Sequence, residues 1–414
     1  MAGVALATAH KSRALAVDAG FITGTWLVSR ALVLVGMFAI APHLPVATGA
    51  AADLHGWARL VHWDGTWYRS IASNGYEFRP DGGHHSVAFF PVYPVAVATL
   101  MRVGLPFDVA GTLIANVAFI GLLFVAFGWV RERQGTDVAR WTVATLCFLP
   151  DSLFCSVAYS EAPFLLFSAL ALRDFERRNY ASAALWTALA SGTRVTGAGL
   201  LLAFVGAAIV QRRGIGAYAV GGAALAGPLG FGLYCWSRFG DPLAYAHVES
   251  DWRQGLGFKP VAWFWLLVSG FNGGRWPVQL VAAGAAWWIW VKRRSLDFWL
   301  GAVFVACVAV AAWEIEGDVG SVLLLVIVGG CLLIRYRAQL GVAAFIFGVT
   351  CLGLIVLGGA PVSVARYAYG AIPLVVALAT LFARRPAFGV ALLAVGAVEL
   401  VNAAASFADW RWVG

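Results

Sequence analysis

Long apolar runs alternate with short polar segments over most of this chain. Each run is close to the length that an α-helix needs to cross the hydrocarbon core of a bilayer, which is about 20 residues. A helix suits that environment because it satisfies its own backbone hydrogen bonds. The pattern therefore predicts an all-α polytopic membrane protein with about 11–13 transmembrane helices.

Polar segments separate the predicted spans and set their limits. The run 181–210 is predicted to form two short spans, since the segment Ser191 to Arg194 interrupts it. In chain order the predicted spans are 21–41, 109–130, 141–157, 160–174, 181–210, 215–237, 276–291, 297–313, 319–334, 338–358, 369–383 and 387–406.

Basic clusters between the runs predict the topology, because cytoplasmic loops are enriched in Lys and Arg. The clusters are Lys11/Arg13, Arg131/Arg133, Arg173/Arg177/Arg178, Arg212/Arg213, Lys292/Arg293/Arg294, Arg335/Arg337 and Arg384/Arg385. Placing all of them inside makes 42–108 one large first external loop, and 88–106 a juxtamembrane or re-entrant helix. The first span is expected to remain as an anchor, because no signal-peptide cleavage site follows it.

The loops on the inner side are short, so the chain 1–414 is predicted to be one transmembrane domain without a soluble domain. Any chemistry is then expected on the external face or within the membrane. The net charge of +8 does not indicate nucleic-acid binding, because the basic residues occupy these loops. A hydrophobic fraction of 61% and a charged fraction of 12% fit the same class.

The six cysteines all lie in or beside apolar runs and show no CxxC spacing. They are predicted to be small core residues and neither disulfides nor metal ligands.

The segment 62–76 is charged and rich in aromatic residues, and it carries the carboxylate of Asp64. Helical spacing from Trp57 through Asp64 to Ile71 would place this carboxylate on an apolar stripe. Desolvation there makes a carboxylate a stronger base, so Asp64 is predicted to be a general base. The alternative is that Asp64 caps a helix that Asn74 and Gly75 end.

Aromatic side chains surround this carboxylate in sequence and are candidate contacts for a sugar or lipid substrate. Trp63, Trp67 and Tyr68 flank Asp64 directly, and Tyr93 follows in the aromatic and proline-containing segment Ala88 to Pro94.

Two arginines lie in or near apolar runs, where a charge is costly and usually has a partner or a function. Arg194 and Arg366 are predicted to bind the phosphate of a lipid-linked donor, which a guanidinium can hold with two hydrogen bonds. For Arg194 the alternative is a structural pair with a carboxylate such as Asp151, or snorkelling. Tyr367 beside Arg366 is a candidate substrate contact.

Glu161 stands at a predicted span end, just before Pro163. It is either a substrate-binding residue or a solvated acid at the first turn of a helix.

The segment 239–252 is amphipathic, and in it His247 and Asp251 are four residues apart. This spacing permits a hydrogen-bonded pair or two metal ligands, although two ligands alone are weak evidence for a metal. A solvated interfacial helix is the alternative. His247 is also a candidate substrate contact. No metal and no cofactor is predicted, and no P-loop or dinucleotide fingerprint is present.

Several of these segments together resemble the PIG-V group of mannosyltransferases, in the same order and at similar spacing over about 20–380. The segments are Trp63-Asp64, Ile71-Ala72, Asn74-Gly75-Tyr76, Ala88 to Pro94, Ser156 to Glu161, Ser191 to Gly197 and Val364 to Tyr367. The composition, rich in Ala, Gly, Val and Arg, suggests a bacterial relative.

The resemblance implies a GT-C glycosyltransferase fold with a catalytic acid in the first external loop, at the position of Asp64, and a polyprenyl-phosphate sugar as donor. The resulting hypothesis is an inverting mannosyltransferase that uses polyprenyl-phosphate-mannose and a lipid or glycan acceptor in the membrane. The alternative is a transporter or flippase of a lipid-linked sugar, although no internal repeat is visible. An inactive scaffold that binds such a lipid is a third possibility.

Overall fold

A computed structural model describes residues 2–44, 56–252, 318–357 and 363–413, and the chain in these ranges is helical without any strand. The α-helices in chain order are α1 (Ala2–Leu34), α2 (Asp64–Asn74), α3 (Val92–Arg102), α4 (Phe107–Gln134), α5 (Thr136–Phe148), α6 (Glu161–Glu176), α7 (Tyr180–Thr193), α8 (Leu200–Val210), α9 (Ile215–Ala223), α10 (Ala226–Phe239), α11 (Ala244–Trp252), α12 (Asp318–Leu340), α13 (Val342–Leu357), α14 (Val364–Gly370), α15 (Ile372–Arg384) and α16 (Pro386–Ala408).

Three stretches in the described ranges are long and apolar enough to cross a membrane: Leu15–His43, Phe107–Gln134 and Pro386–Ala408. Two bent pairs raise this number to five if each pair is one span. The helices α9 and α10 bend by 42° at their junction, and α14 and α15 bend by 82°. The predicted all-α membrane class is confirmed, and helices of membrane-crossing length cover the predicted spans 21–41, 109–130 and 387–406.

Other predicted spans differ from the observed helices. The run 141–157 is not one helix, because α5 ends at Phe148 and a 3₁₀ helix follows at Pro150–Cys155. Pro150 explains the break, since the residue before a proline is driven out of the helical region, and Leu149 has φ −67° and ψ 143°. The runs 276–291 and 297–313 lie outside the described residues.

The segment 88–106 contains α3, which has only 11 residues and is too short to cross a bilayer. It agrees with the prediction that this run is not a span. The run 181–210 is interrupted as predicted: α7 ends at Thr193, Arg194 is extended, and the 3₁₀ helix Val195–Gly199 leads into α8.

The 3₁₀ segment 150–155 and the turn after it run through the middle of the packed helices. Leu153, Phe154 and Tyr159 are fully buried and pack with Leu400 and Phe407 of α16. This packing fixes the start of α6, and the backbone N–H of Ala158 donates to the carbonyl of Leu60 at 3.0 Å. The segment before α2 is thereby held against the segment before α6.

The crossing of α7 and α10 depends on a glycine. A Cβ on Gly227 would lie 2.3 Å from the carbonyl carbon of Ser191 and 2.4 Å from the amide nitrogen of Gly192, whereas a Cβ on Gly230 in the same helix would meet nothing within 4 Å. We expect Gly227→Ala to lower the free energy of unfolding by about 1–3 kcal/mol, because the backbones must separate.

The matched control is Gly230→Ala, which we expect to be neutral or slightly stabilising because alanine favours a helix. Thermal unfolding of the purified protein in detergent measures both variants. Equal melting temperatures for the two would show that this close approach does not contribute to stability.

Candidate functional site

The helix α2 begins at Asp64 and ends at Asn74, where Gly75 adopts a positive φ of 85°. The predicted continuous helix from Trp57 is therefore wrong. The limits given by the alternative, a helix that starts at Asp64 and ends at Asn74, are confirmed. Residues 56–60 form a separate 3₁₀ helix, and Trp63 at φ 50° turns the chain sharply into α2. Asp64 is thus in the first turn of α2, where the helix dipole stabilises a negative charge.

The side chain of Asp64 does not cap α2 but forms an ion pair with Arg366. The Nη1 of Arg366 donates to Oδ2 of Asp64 at 2.8 Å, and the two side chains are 5% and 13% exposed. The backbone N–H of Asp64 donates to the hydroxyl of Tyr159, which in turn donates to the carbonyl of His62, both at 3.2 Å. The first turn of α2 is therefore held from both sides.

A second carboxylate lies between the two arginines. Glu161 is in the first turn of α6, and its side chain is only 2% exposed. Its Oε1 accepts a short hydrogen bond from Nη1 of Arg194 and lies 3.4 Å from Nε of Arg366. The alternative of a solvated Glu161 is therefore wrong. The alternative that Arg194 pairs with a carboxylate is confirmed, although the partner is Glu161 and not Asp151.

Two carboxylates and two guanidinium groups thus form one buried cluster with a formal charge of zero. Oε2 of Glu161 and Nε of Arg366 have no hydrogen-bond partner within the described part of the chain. Such orphaned groups are costly in a buried site and suit a ligand that supplies the missing partners.

Aromatic rings and hydroxyl groups surround the cluster. Tyr367 lies under both guanidinium groups, with each Cζ 5.7 Å from its ring centre. Tyr159 also faces Arg366. The hydroxyl of Ser160 accepts from Arg194 at 3.3 Å and hydrogen bonds the hydroxyl of Tyr68 at 2.8 Å. These contacts hold both arginines in fixed orientations.

Two adjoining cavities meet at this cluster. The smaller has a volume of 100 Å³ and is lined by polar and aromatic side chains that include Asp64 and Tyr68. The larger has a volume of 430 Å³, and its lining is mostly apolar, with Phe164, Leu354 and Ile355 among its residues. The residues that line both are Ala88, Phe90, Arg194, Val195, Thr196, Glu249, Arg366 and Tyr367. An amphiphile with an anionic group at the junction of head and tail fits this arrangement.

The predicted aromatic contacts are distributed unevenly. Tyr68 lines the smaller cavity. Trp67 stacks on Phe89 at 6.0 Å. Trp63 turns towards the end of the chain, where it meets the ring of Trp412 at 5.2 Å.

Two predicted contacts lie away from the cluster. The side chain of Tyr93 is 1% exposed and donates to the carbonyl of Gly111 at 3.1 Å, so it is a packing residue. His247 does not pair with Asp251, because its Nδ1 lies 2.8 Å from Oδ2 of Asp241 at the start of the same segment. The described residues contain no group of three or more potential metal ligands.

Sequence patterns do not identify every residue of the site. Glu249 lines both cavities, whereas the pattern of its amphipathic segment indicates only His247 and Asp251. Trp412 lies with its ring centre 5.8 Å from Cζ of Arg366, although no role was predicted for the end of the chain. The several aromatic residues at 407–412 were the available signal for the second case.

His62 lies in the turn before Asp64 and makes the stability of the fold depend on pH. Its ring packs edge-on against Trp410 and Phe407, with centroid distances of 4.3 and 5.4 Å, and neither ring nitrogen has a partner in the described structure. Burial, with smaller effects from Arg69 and Arg59, lowers the pKa of His62 to about 4. The unfolded chain therefore binds a proton between pH 6.5 and pH 4 that the folded chain does not.

We expect this histidine to make the protein less stable as the pH falls through that range, by about 2 kcal/mol between pH 7 and pH 5. Melting temperatures at the two pH values measure the loss. The variant His62→Phe keeps a ring but cannot titrate, so it should lose less stability on acidification. An identical loss in both proteins would contradict the assignment.

Residues 41–213 match the family described as mannosyltransferase (PIG-V). A GPI mannosyltransferase 2 from Drosophila pseudoobscura pseudoobscura is 33% identical over 124 residues, which cover 27% of this chain and 26% of that protein. The human GPI alpha-1,6-mannosyltransferase 2 is 28% identical over 149 residues, covering 33% of this chain and 29% of that protein. The matches thus span less than a third of the relatives' length.

Solved structures of similar shape have low sequence identity. The apo oligosaccharyltransferase of Archaeoglobus fulgidus has a TM-score of 0.48 at 13% identity, covering 95% of this chain and 56% of that chain. ArnT from Cupriavidus metallidurans, solved bound to undecaprenyl phosphate, has a TM-score of 0.40 at 16% identity, covering 90% of this chain and 79% of that chain.

Proposed function

We propose that this chain is a membrane mannosyltransferase, because residues 41–213 match the family described as mannosyltransferase (PIG-V). The donor is polyprenyl-phosphate-mannose, and the acceptor is a hydroxyl of a lipid or glycan. The observation that carries the proposal is the position of Asp64, Arg194 and Arg366 where a polar cavity joins an apolar one.

The two cavities support a lipid-linked donor. The apolar side chains of the 430 Å³ cavity suit the first isoprene units of a polyprenyl chain, and the 100 Å³ cavity beside Asp64 suits part of a sugar. The phosphate that joins these two parts would then lie beside Arg194 and Arg366. Such a placement needs neither a nucleotide site nor a metal ion.

In the proposed reaction, Asp64 takes the proton of the acceptor hydroxyl while that oxygen attacks the anomeric carbon of mannose. The bond from the anomeric carbon to the phosphate oxygen breaks, and its electron pair leaves with the polyprenyl phosphate. Attack from the side opposite the leaving group inverts the anomeric carbon, as in inverting glycosidases with a sugar hydroxyl in place of water. Arg194 and Arg366 stabilise the charge that develops on the leaving phosphate.

The ion pair between Asp64 and Arg366 gives the donor a second role. The guanidinium of Arg366 occupies Oδ2 of Asp64, an oxygen that can accept the proton of the acceptor hydroxyl. A donor phosphate competes with Asp64 for Arg366, because both are anionic acceptors of its hydrogen bonds. Binding of the donor would therefore free a carboxylate oxygen for the acceptor hydroxyl.

The site is proposed to face the external side of the membrane. The cluster Arg131/Arg133 lies at the end of α4 opposite to Phe107. The cluster Arg173/Arg177/Arg178 lies at the end of α6 opposite to Glu161. If these clusters are cytoplasmic, the start of α6 and the site around it are external.

The test is transfer of labelled mannose in proteoliposomes that contain the purified protein with lipid and glycan extracts as acceptors. A short-chain polyprenyl-phosphate-mannose and a nucleotide-linked mannose are offered separately. We expect a labelled product from the lipid-linked donor alone. Transfer from the nucleotide-linked donor alone would contradict the proposed donor. Movement of the labelled lipid between leaflets without a transfer product would support a transporter instead.

A further inference from the structure

A third cavity, of 300 Å³, lies between α1, the first turns of α4 and the 3₁₀ helix Gly56–Leu60. None of its lining residues lines either cavity at Asp64. They are Trp26, Arg30, Val33, Leu34, Trp57, Leu60, Val109, Thr112, Leu113, Asn116 and Ser156. We call this cavity the α1–α4 groove.

The groove contains a buried positive charge. Arg30 is 6% exposed and lies near the middle of the membrane-crossing stretch Leu15–His43. Its guanidinium donates to the carbonyl and hydroxyl of Ser152 at 2.8 and 3.0 Å, to the hydroxyl of Ser156, and to that of Ser29 at 3.3 Å. All of these acceptors are neutral.

No carboxylate forms an ion pair with Arg30 among the side chains that the structure describes. The contrast with the other buried arginines is clear, since Arg194 and Arg366 both have carboxylate partners. An arginine within a membrane span almost always has a counter-charge or lines a path for an ion or substrate. Arg30 therefore lacks a negative partner that a ligand can supply.

Further hydrogen-bond donors lie in the same lining. The indole Nε1 of Trp26 is buried and has no acceptor in the described residues. Asn116 also lines the cavity, and its side-chain nitrogen donates to the carbonyls of Thr112 and Ser156 at 2.8 and 3.1 Å. A cation without a counter-charge beside an N–H without an acceptor favours a negatively charged group with several acceptor oxygens, and phosphate has this chemistry.

The rim of the groove is apolar and faces outward. Leu34, Trp57 and Leu113 are 45%, 55% and 46% exposed, and all three line the cavity. Such a rim suits the acyl chains of a lipid. A free phosphate ion would have no use for these contacts.

From these observations we propose that the α1–α4 groove is a second lipid site, which binds the phosphate of an anionic membrane lipid beside Arg30 and Trp26. The site is separate from the cavities at Asp64 and does not depend on the proposed transferase activity. The groove is nevertheless close to the proposed active site in the fold. Arg30 donates hydrogen bonds to Ser152 and Ser156, which precede Tyr159 and Glu161 in the same buried segment.

The test is native mass spectrometry of the delipidated full-length protein, titrated with phosphatidylglycerol or with a diacylglycerol that has the same acyl chains. We expect the wild type to bind phosphatidylglycerol at least tenfold more tightly than the neutral lipid. Equal binding of the two lipids would overturn the proposal. Displacement of the lipid by millimolar inorganic phosphate would also overturn it, since the site would then be one for a soluble anion.

Two variants locate the binding without removing Arg30. Trp26→Phe removes only the orphaned N–H, and we expect about fivefold weaker binding of phosphatidylglycerol. Leu113→Trp fills the groove from its rim and should weaken binding at least tenfold. The matched control is Val117→Trp, one turn further along α4, where the side chain is 59% exposed and lines no described cavity.

Binding of phosphatidylglycerol that is unchanged in both Trp26→Phe and Leu113→Trp would show that the lipid binds elsewhere. A structural role alone would not make Trp26→Phe weaken lipid binding, because the removed N–H has no partner in the described fold.

Discussion

The variant Asp64→Asn is expected to lose mannose transfer by about 10²–10⁴-fold, because a general base typically contributes a factor of this size. Asparagine has nearly the same volume as aspartate, and its side-chain oxygen can still accept the hydrogen bond from Arg366 that the structure shows at 2.8 Å. The fold should therefore survive, and the effect should fall on the rate of the chemical step. Transfer of labelled mannose under donor saturation measures this rate.

The control for this variant is Asp81→Asn. Asp81 belongs to the segment between α2 and α3, pairs with His85 at 2.7 Å and lines no described cavity, so we expect its loss to leave transfer unchanged. Binding of a short-chain polyprenyl phosphate should persist in Asp64→Asn, which would separate lost catalysis from lost folding. Full transfer by Asp64→Asn would show that the proton goes elsewhere and would end the assignment of Asp64 as the base.

The variant Arg366→Lys is expected to reduce transfer by about 10²–10³-fold, the size of effect found when one preorganised donor to a developing charge is removed. Lysine keeps the charge but has no planar fork, and so it cannot reach Asp64 and Glu161 together as Arg366 does. We also expect about tenfold weaker binding of a short-chain polyprenyl phosphate, measured by isothermal titration calorimetry.

Glu161→Gln distinguishes this explanation from a merely structural role of the cluster. Removal of one negative charge leaves the cluster with a formal charge of +1, so the polyprenyl phosphate should bind more tightly. Transfer should fall at the same time, because Arg194 and Arg366 lose the carboxylate that orients them. A variant that only disturbed the fold would weaken both binding and transfer.

The control is Glu132→Gln, which removes a carboxylate from an exposed pair with Arg177 and should change neither quantity. Weaker binding of the polyprenyl phosphate by Glu161→Gln would contradict the assignment of the phosphate to these two arginines.

The sequence by itself determined the class of the protein and several limits of its elements. Apolar runs of membrane-crossing length, rare charges and basic clusters between the runs are properties of the chain that depend little on its neighbours. The C-terminal end of α2 follows from local chemistry too, because Gly75 takes the positive φ that ends a helix. The break before Arg194 was visible for a similar reason, as small and polar residues interrupt an apolar run.

Only the tertiary structure decided which charges meet. Asp64 and Arg366 are 302 positions apart, and their pairing depends on how α2, α6 and α14 pack. The sequence offered Asp151 as a partner of Arg194, yet the packing places Glu161 there. The number of residues between two charges in the chain does not determine the distance between them in space. The interior position of Tyr93 was hidden for the same reason, since an aromatic residue in an aromatic and proline-containing segment fits both a binding site and a core.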